Sequence, residues 1–205
     1  MARSKSSARW LQEHNDDFYV KKSKEMGYRS RAAFKLVEMH EQNALFKPGM
    51  SVVDLGAAPG GWSQIAGELV GDSGKVIATD LLVMSPLARV DFVKGDFTEQ
   101  SVYDQILAML SGRKVDLVLS DMAPNISGNK VIDQSKAMYL AELALDFANQ
   151  ALAPGGTFVV KVFQGAGVDV YRKEVQASFA KLLTKKPKAS RPRSKEVYIL
   201  GVGFK

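Results

Sequence analysis

The stretch Val52-Val-Asp-Leu-Gly-Ala-Ala-Pro-Gly-Gly-Trp62 constrains the fold of this chain more than any other. Two valines, an aspartate and a leucine end a strand. A loop of small residues follows, and then Trp62, Ile65, Ala66, Leu69 and Val70 recur at the spacing of one helix face. A strand, a tight turn and a helix in that order let a ligand approach bare backbone, with the helix N-terminus facing it. The loop carries neither the Lys nor the Ser/Thr that grips a phosphate, so it does not suit a triphosphate. An acid at the strand end beside an uncharged glycine loop suits a ligand with hydroxyls and a positive charge.

The remaining sequence extends this unit into a fold. Strands are expected at 51–55, 75–79, 90–93, 115–120 and 157–163, and helices at 31–42, 99–110, 134–152 and 169–183. A short helical stretch is expected near 10–20, and a pair of strands near 181–188 and 196–203. Ser30 is placed to cap the 31–42 helix, which buries Ala33, Phe34, Leu36 and Val37 and points Lys35 away from that side. Alternating strands and helices specify a Rossmann-like α/β fold, mostly parallel with helices on both faces, and the last strand is expected to run antiparallel. At 205 residues the chain suffices for one such domain, over 31–205, preceded by a basic N-terminal extension over 1–30. Ligands of these sheets bind beyond the carboxyl ends of the strands. Asp54, Gly56, Asp80, Asp96 and Asp121 all stand there.

Asp80 lies twenty residues beyond Gly60, at the end of the next strand, where an acid accepts hydrogen bonds from ribose hydroxyls. A dinucleotide is disfavoured because loop 56–61 lacks the Gly-x-Gly-x-x-Gly spacing and holds Pro59 inside the turn. Asp96, after the third strand, is placed to accept from an adenine amino group. Three acids without a phosphate-binding lysine fit S-adenosylmethionine. Asp54 is expected to organise the loop from below. Trp62 shares the apolar face of its helix, while its backbone N–H can still serve the ligand.

Net charge is +6, unevenly spread. Residues 1–35 hold nine Lys/Arg against four Asp/Glu, and 181–195 hold seven Lys/Arg and no acid, around an acidic middle. Basic ends also serve solubility, but two separate patches flanking a cofactor domain favour a nucleic-acid backbone. Arg29, Arg31 and loop 185–195 are the candidate phosphate contacts. The absence of cysteine excludes disulfides and thiolate metal sites and fits a reducing compartment. No secretory leader and no membrane span are expected, so a cytoplasmic location and no membrane partner follow.

Lys161 interrupts the apolar strand Phe158-Val-Val-Lys-Val-Phe163, where an ammonium is costly unless paired or used. Asp121 ends the neighbouring strand. Glu196 begins the last strand and shares a face with Tyr198. Taken singly, Lys35 and Glu196 read as solvated surface charges, and Tyr198 as either a stacking platform for a base or a packed strand residue.

Together these residues carry a resemblance. Ser30-Arg-Ala-Ala-Phe-Lys-Leu36, Val53-Asp-Leu-Gly-Ala-Ala-Pro-Gly-Gly-Trp62, Ser120-Asp-Met-Ala-Pro-Asn125, Val159-Val-Lys-Val-Phe163 and Ser194-Lys-Glu-Val-Tyr198 resemble the FtsJ (RrmJ)-type ribosomal-RNA 2′-O-methyltransferases over nearly the whole sequence. The resemblance implies a catalytic set of Lys35, Asp121, Lys161 and Glu196, and cofactor contacts from Gly60, Trp62, Asp80, Asp96 and Asp121. It implies S-adenosylmethionine as methyl donor, no metal, and a uridine of large-subunit (23S) ribosomal RNA as substrate, within an assembled particle. A monomer is expected. Lys161 then acts as general base or as electrostatic clamp on the ribose hydroxyl. A transfer RNA or an mRNA cap would require the same four residues, and a non-catalytic RNA-binding assembly factor would not need Lys161 in its strand.

Overall fold

The structure, a computed structural model, describes residues 17–205; most of the helix expected near 10–20 lies outside them. The first described helix, α1 (Phe18–Glu25), is capped by Asp17, whose carboxylate accepts from the Tyr19 N–H at 3.0 Å. It packs against α2 (Ala33–Asn43), with the Tyr19 and Phe34 rings 5.5 Å apart. β1 (Ser51–Leu55), α3 (Gly61–Val70), β2 (Lys75–Asp80), β3 (Val90–Lys94), α4 (Gln100–Leu110) and β4 (Val115–Ser120) follow. Then come α5 (Lys130–Ala151), β5 (Leu152–Phe163), α6 (Val168–Ser178), β6 (Phe179–Lys185) and β7 (Glu196–Phe204).

The seven strands form one sheet in the order β3-β2-β1-β4-β5-β7-β6. The first five are mutually parallel, and β7 runs antiparallel between β5 and β6. β1 and β4 are buried on both faces, which is why they read as continuous apolar runs. Alternation divides the core in two. Val53, Val118, Phe158 and Ile199 face α4, α5 and α6, whereas Val52, Leu119, Val159, Tyr198 and Leu200 face α2 and α3. Lys161, two residues beyond Val159, follows it onto the α2–α3 side. Chain order reverses at β1, with β2 on one flank and β4 on the other, and the crevice beyond their carboxyl ends is the natural ligand position.

β5 begins at Leu152, five residues ahead of the expected 157, and three further boundaries differ from expectation for identifiable reasons. Ser30 does not cap α2: the cap residue is Ala32, without a side-chain bond, and the Ser30 hydroxyl is packed against Gly61 instead. α5 starts at Lys130 rather than 134, because the Asn129 side chain accepts from the Val131 and Ile132 N–H groups. The helix expected to continue to 183 stops at Ser178. Phe179 turns extended and stacks on Phe158 with centroids 6.1 Å apart, so burying that ring converts the next turn into an edge strand.

Candidate active site

The crevice is built by neighbouring strands. The Asp121 N–H bonds the Leu55 carbonyl at 3.1 Å, which draws the end of β4 against β1. On the adjacent pair, Lys161 of β5 stands opposite Tyr198 of β7, and Phe163 opposite Glu196. Helix α2 lies over them and contributes Lys35. The result is an unbroken polar chain. Lys35 Nζ lies 2.5 Å from Glu196 Oε1 and donates to Tyr198 Oη at 3.1 Å. Tyr198 Oη donates to Asp121 Oδ1 at 2.9 Å, and Lys161 Nζ meets that same oxygen at 3.0 Å. Lys161 Nζ also donates to the Asp121 carbonyl at 2.5 Å, and the Ser190 hydroxyl supports Glu196 Oε1 at 2.8 Å.

The four residues of the expected set are thus brought together, with two corrections. Lys35 and Glu196 are not solvated: their side chains are 11% and 12% exposed. Lys35 does point away from the side of α2 that meets α3, but β7 and segment 187–190 cover it. Arg31 bonds the Ala189 carbonyl, Glu38 accepts from the Lys188 N–H, and Ser190 is buried. Tyr198 is no platform for a base. Its ring is fully buried beside Trp62, 5.5 Å between centroids, and its hydroxyl joins the two ion pairs. Sequence reasoning missed that joining role, although Glu196 and Tyr198 on one face of β7, opposite Lys161 on β5, was the available signal.

Burial pushes the Asp121 carboxyl up, but the Lys161 and Lys35 ammonium groups, with hydrogen bonds from Lys161 and Tyr198, outweigh it and hold it below the ordinary carboxylate range. Burial and the Asp121 and Glu196 charges push the Tyr198 phenol well above its usual value, so it remains a donor.

Beside this chain lies a pocket of about 320 Å³, walled by Gly56, Thr79, Asp80, Gly95, Asp96 and Asp121 among others. Gly56 has φ 78°, and a Cβ there would stand 2.7 Å from the Met122 side chain, so only glycine lets the loop close on this wall. Asp80 accepts the Ala58 and Leu82 N–H groups at 2.9 and 2.8 Å, which fixes its carboxylate at the pocket. Asp96 Oδ1 is taken up by Thr98, while no hydrogen bond among the described residues occupies its Oδ2. Thr79 Oγ1 is buried without a partner among the described residues. Two carboxylates and an unsatisfied hydroxyl around a space of this size fit a nucleoside with ribose hydroxyls and an exocyclic amine. Gly60 and Trp62 stand behind the loop, outside the pocket lining. The Gly60 Cα faces Met84 and Arg29, and the Trp62 indole N–H donates to the Ala32 carbonyl at 2.8 Å. Asp54 lies below, completely buried, and accepts from the Ser63 hydroxyl at 2.6 Å.

Two expected phosphate contacts are otherwise engaged. Arg29 clamps the Ser85 and Pro86 carbonyls at 2.6 and 2.7 Å, and Arg31 pairs with Asp17. Both hold loops over the site instead of presenting bare guanidinium groups.

A seven-stranded sheet with one inserted antiparallel strand, and an acid-walled nucleoside pocket at its switch point, define a Rossmann-like methyltransferase fold. Within that class, residues 28–204 match the FtsJ-like methyltransferases, and the chain belongs to that family. It is 64% identical over 201 residues to ribosomal RNA large subunit methyltransferase E of Chromohalobacter salexigens, covering 98% of this chain and 96% of that protein. With the protein of the same name from Stutzerimonas stutzeri it shares 58% identity over the full length of both. A crystal structure of a ribosomal RNA methyltransferase from Plasmodium falciparum superimposes with a TM-score of 0.76 at 30% identity, covering 86% of this chain and 98% of that one.

Proposed function

We propose that this protein transfers the methyl group of S-adenosylmethionine to the ribose 2′-hydroxyl of a uridine in large-subunit ribosomal RNA, acting as a monomer in the cytoplasm. The observation that carries the reading is the buried chain Glu196–Lys35–Tyr198–Asp121–Lys161 opening beside the acid-walled pocket. The names of the relatives above supply the ribosomal substrate class.

Bound in the pocket, S-adenosylmethionine supplies an electrophilic methyl group. Asp80 would accept from its ribose hydroxyls and Asp96 Oδ2 from its adenine amine. Lys161 does the work on the acceptor. An ammonium has three N–H donors. Two of them meet Asp121 Oδ1 and the Asp121 carbonyl, leaving the third for the hydroxyl oxygen. There Lys161 Nζ orients the oxygen and stabilises the negative charge that grows as its proton leaves to water. Asp121 holds Lys161, and Tyr198 with the Lys35–Glu196 pair holds Asp121.

The test is methyl transfer from labelled S-adenosylmethionine to isolated large subunits, free ribosomal RNA and transfer RNA, followed by nucleotide mapping. Label is expected on a uridine 2′-oxygen of large-subunit RNA; labelling of transfer RNA alone overturns the reading. Lys161→Ala should lower the rate by a factor of about 100 or more, with cofactor affinity by calorimetry unchanged.

A further inference from the structure

A second and larger cavity, about 840 Å³, lies on the other side of segment 122–126 from the nucleoside pocket. Its walls include Pro124, Ile126, Tyr139, Phe163, Gln164 and Lys195. Four of these stand within three residues of the catalytic set: Pro124 follows Asp121, Phe163 and Gln164 follow Lys161, and Lys195 precedes Glu196. Lys161 Nζ is 5.9 Å from the Phe163 ring centroid, so one wall of the groove stands next to the reacting group.

The groove is held in shape. Gln134 donates to the Phe163 and Ala166 carbonyls at 3.1 and 2.9 Å, tying the loop after β5 to α5. Asp133 accepts from the Ser127 hydroxyl at 2.7 Å and from the Ser127 and Gly128 N–H groups, tying down the opposite loop. Between these supports, Ile126, Val131 and Tyr139 leave 70%, 75% and 51% of their surface open.

Resting on the methyl-transfer reading above, we propose that this groove is the acceptor subsite, receiving the nucleobase of the nucleotide whose ribose is methylated. Methyl transfer proceeds in line, so the acceptor approaches the catalytic pair from the side opposite the donor. With the donor in the smaller pocket, that side is the groove. The glycosidic carbon is bonded to the carbon bearing the reacting hydroxyl, so a ribose at Lys161 directs its base along Phe163. The cavity has the dimensions and mostly apolar walls of a ligand site. Aromatic faces at Phe163 and Tyr139 offer stacking to an unpaired base, the Gln164 amide offers an edge partner, and Lys130 and Lys195 flank the path of its phosphates.

The test uses unmodified large subunits as substrate, with Tyr139→Ala and Ile126→Ser, two exposed positions whose loss leaves the core intact. KM for subunits should rise about tenfold for Tyr139→Ala, with cofactor affinity unchanged, and 4-thiouridine at the methylated position should crosslink to residues in 124–139 or 163–164. If the wild-type protein methylates no RNA, the reading of the whole site fails. If it does and both variants keep its KM, or the crosslink maps only to 17–31 or 185–194, the groove assignment alone is overturned.

Discussion

The Tyr198 hydroxyl accepts a hydrogen bond from Lys35 and donates one to Asp121, so one phenol ties two ion pairs into a single network. Tyr198→Phe keeps the ring against Trp62 and leaves each charge its ionic partner. It should cost about 1 kcal/mol of stability by urea unfolding, while kcat falls about tenfold, a loss of about 1.4 kcal/mol of transition-state stabilisation, and cofactor affinity holds. Asp54 presents a different case. Burial pushes its carboxyl up to about 7, with Asp121 and Asp80 adding to the effect against the Ser63 hydrogen bond. Because the folded value lies above the unfolded one near 4, the native state binds this proton more tightly. The contribution is therefore full below about pH 4 and is lost as pH rises towards 7. Asp54→Asn, with no proton to lose, should gain on the wild type across that window by up to about 1.4 kcal/mol per pH unit, read from urea midpoints. Residues were legible from sequence where a single position broke a pattern, as Lys161 does inside an apolar strand. Lys35 entered only through the resemblance, and the joining role of Tyr198 not at all, because helix periodicity describes one covered side of α2, and the second cover arrives from β7 and segment 187–190, far along the chain.

Among the elements, β7 is the most constrained. Gly201 faces the Phe179 ring across the β6–β7 pair, and a Cβ there would stand 2.7 Å from ring atoms. Gly201→Ala should destabilise by about 1–3 kcal/mol through overpacking, and Phe179→Leu combined with it should recover part of that loss in thermal unfolding. The elements themselves were largely readable. Both-face burial makes β1 and β4 continuous apolar runs, and the strands and helices alternate as the parallel sheet requires. The α6–β6 junction was not readable, because helical periodicity runs through Phe179 and only its stacking on Phe158, twenty-one residues earlier, decides for strand. The early start of α5 depends likewise on one side-chain cap, at Asn129, that composition alone does not announce.

For the molecule as a whole, much of the flanking positive charge is committed internally, in Arg29 and Arg31 and also in Lys185, Lys186 and Arg191 of loop 185–195, which leaves Lys188 and Lys195 as the candidate contacts to a phosphate backbone. Binding to large subunits should weaken with salt, and Lys188→Gln with Lys195→Gln should reduce the slope of log affinity against log salt by about 1 to 2. The two chemical halves of the molecule also differ in how far they reach along the chain. The walls of the nucleoside pocket come from residues between Gly56 and Leu140. The catalytic chain instead joins Lys35 to Tyr198 across 163 positions. Contacts so distant in sequence carry a larger loop-closure cost than local ones. Chemistry therefore needs the last strand seated against α2, whereas no residue of that strand walls the nucleoside pocket, so a change that loosens β7 is expected to cost turnover before it costs the hold on methyl donor.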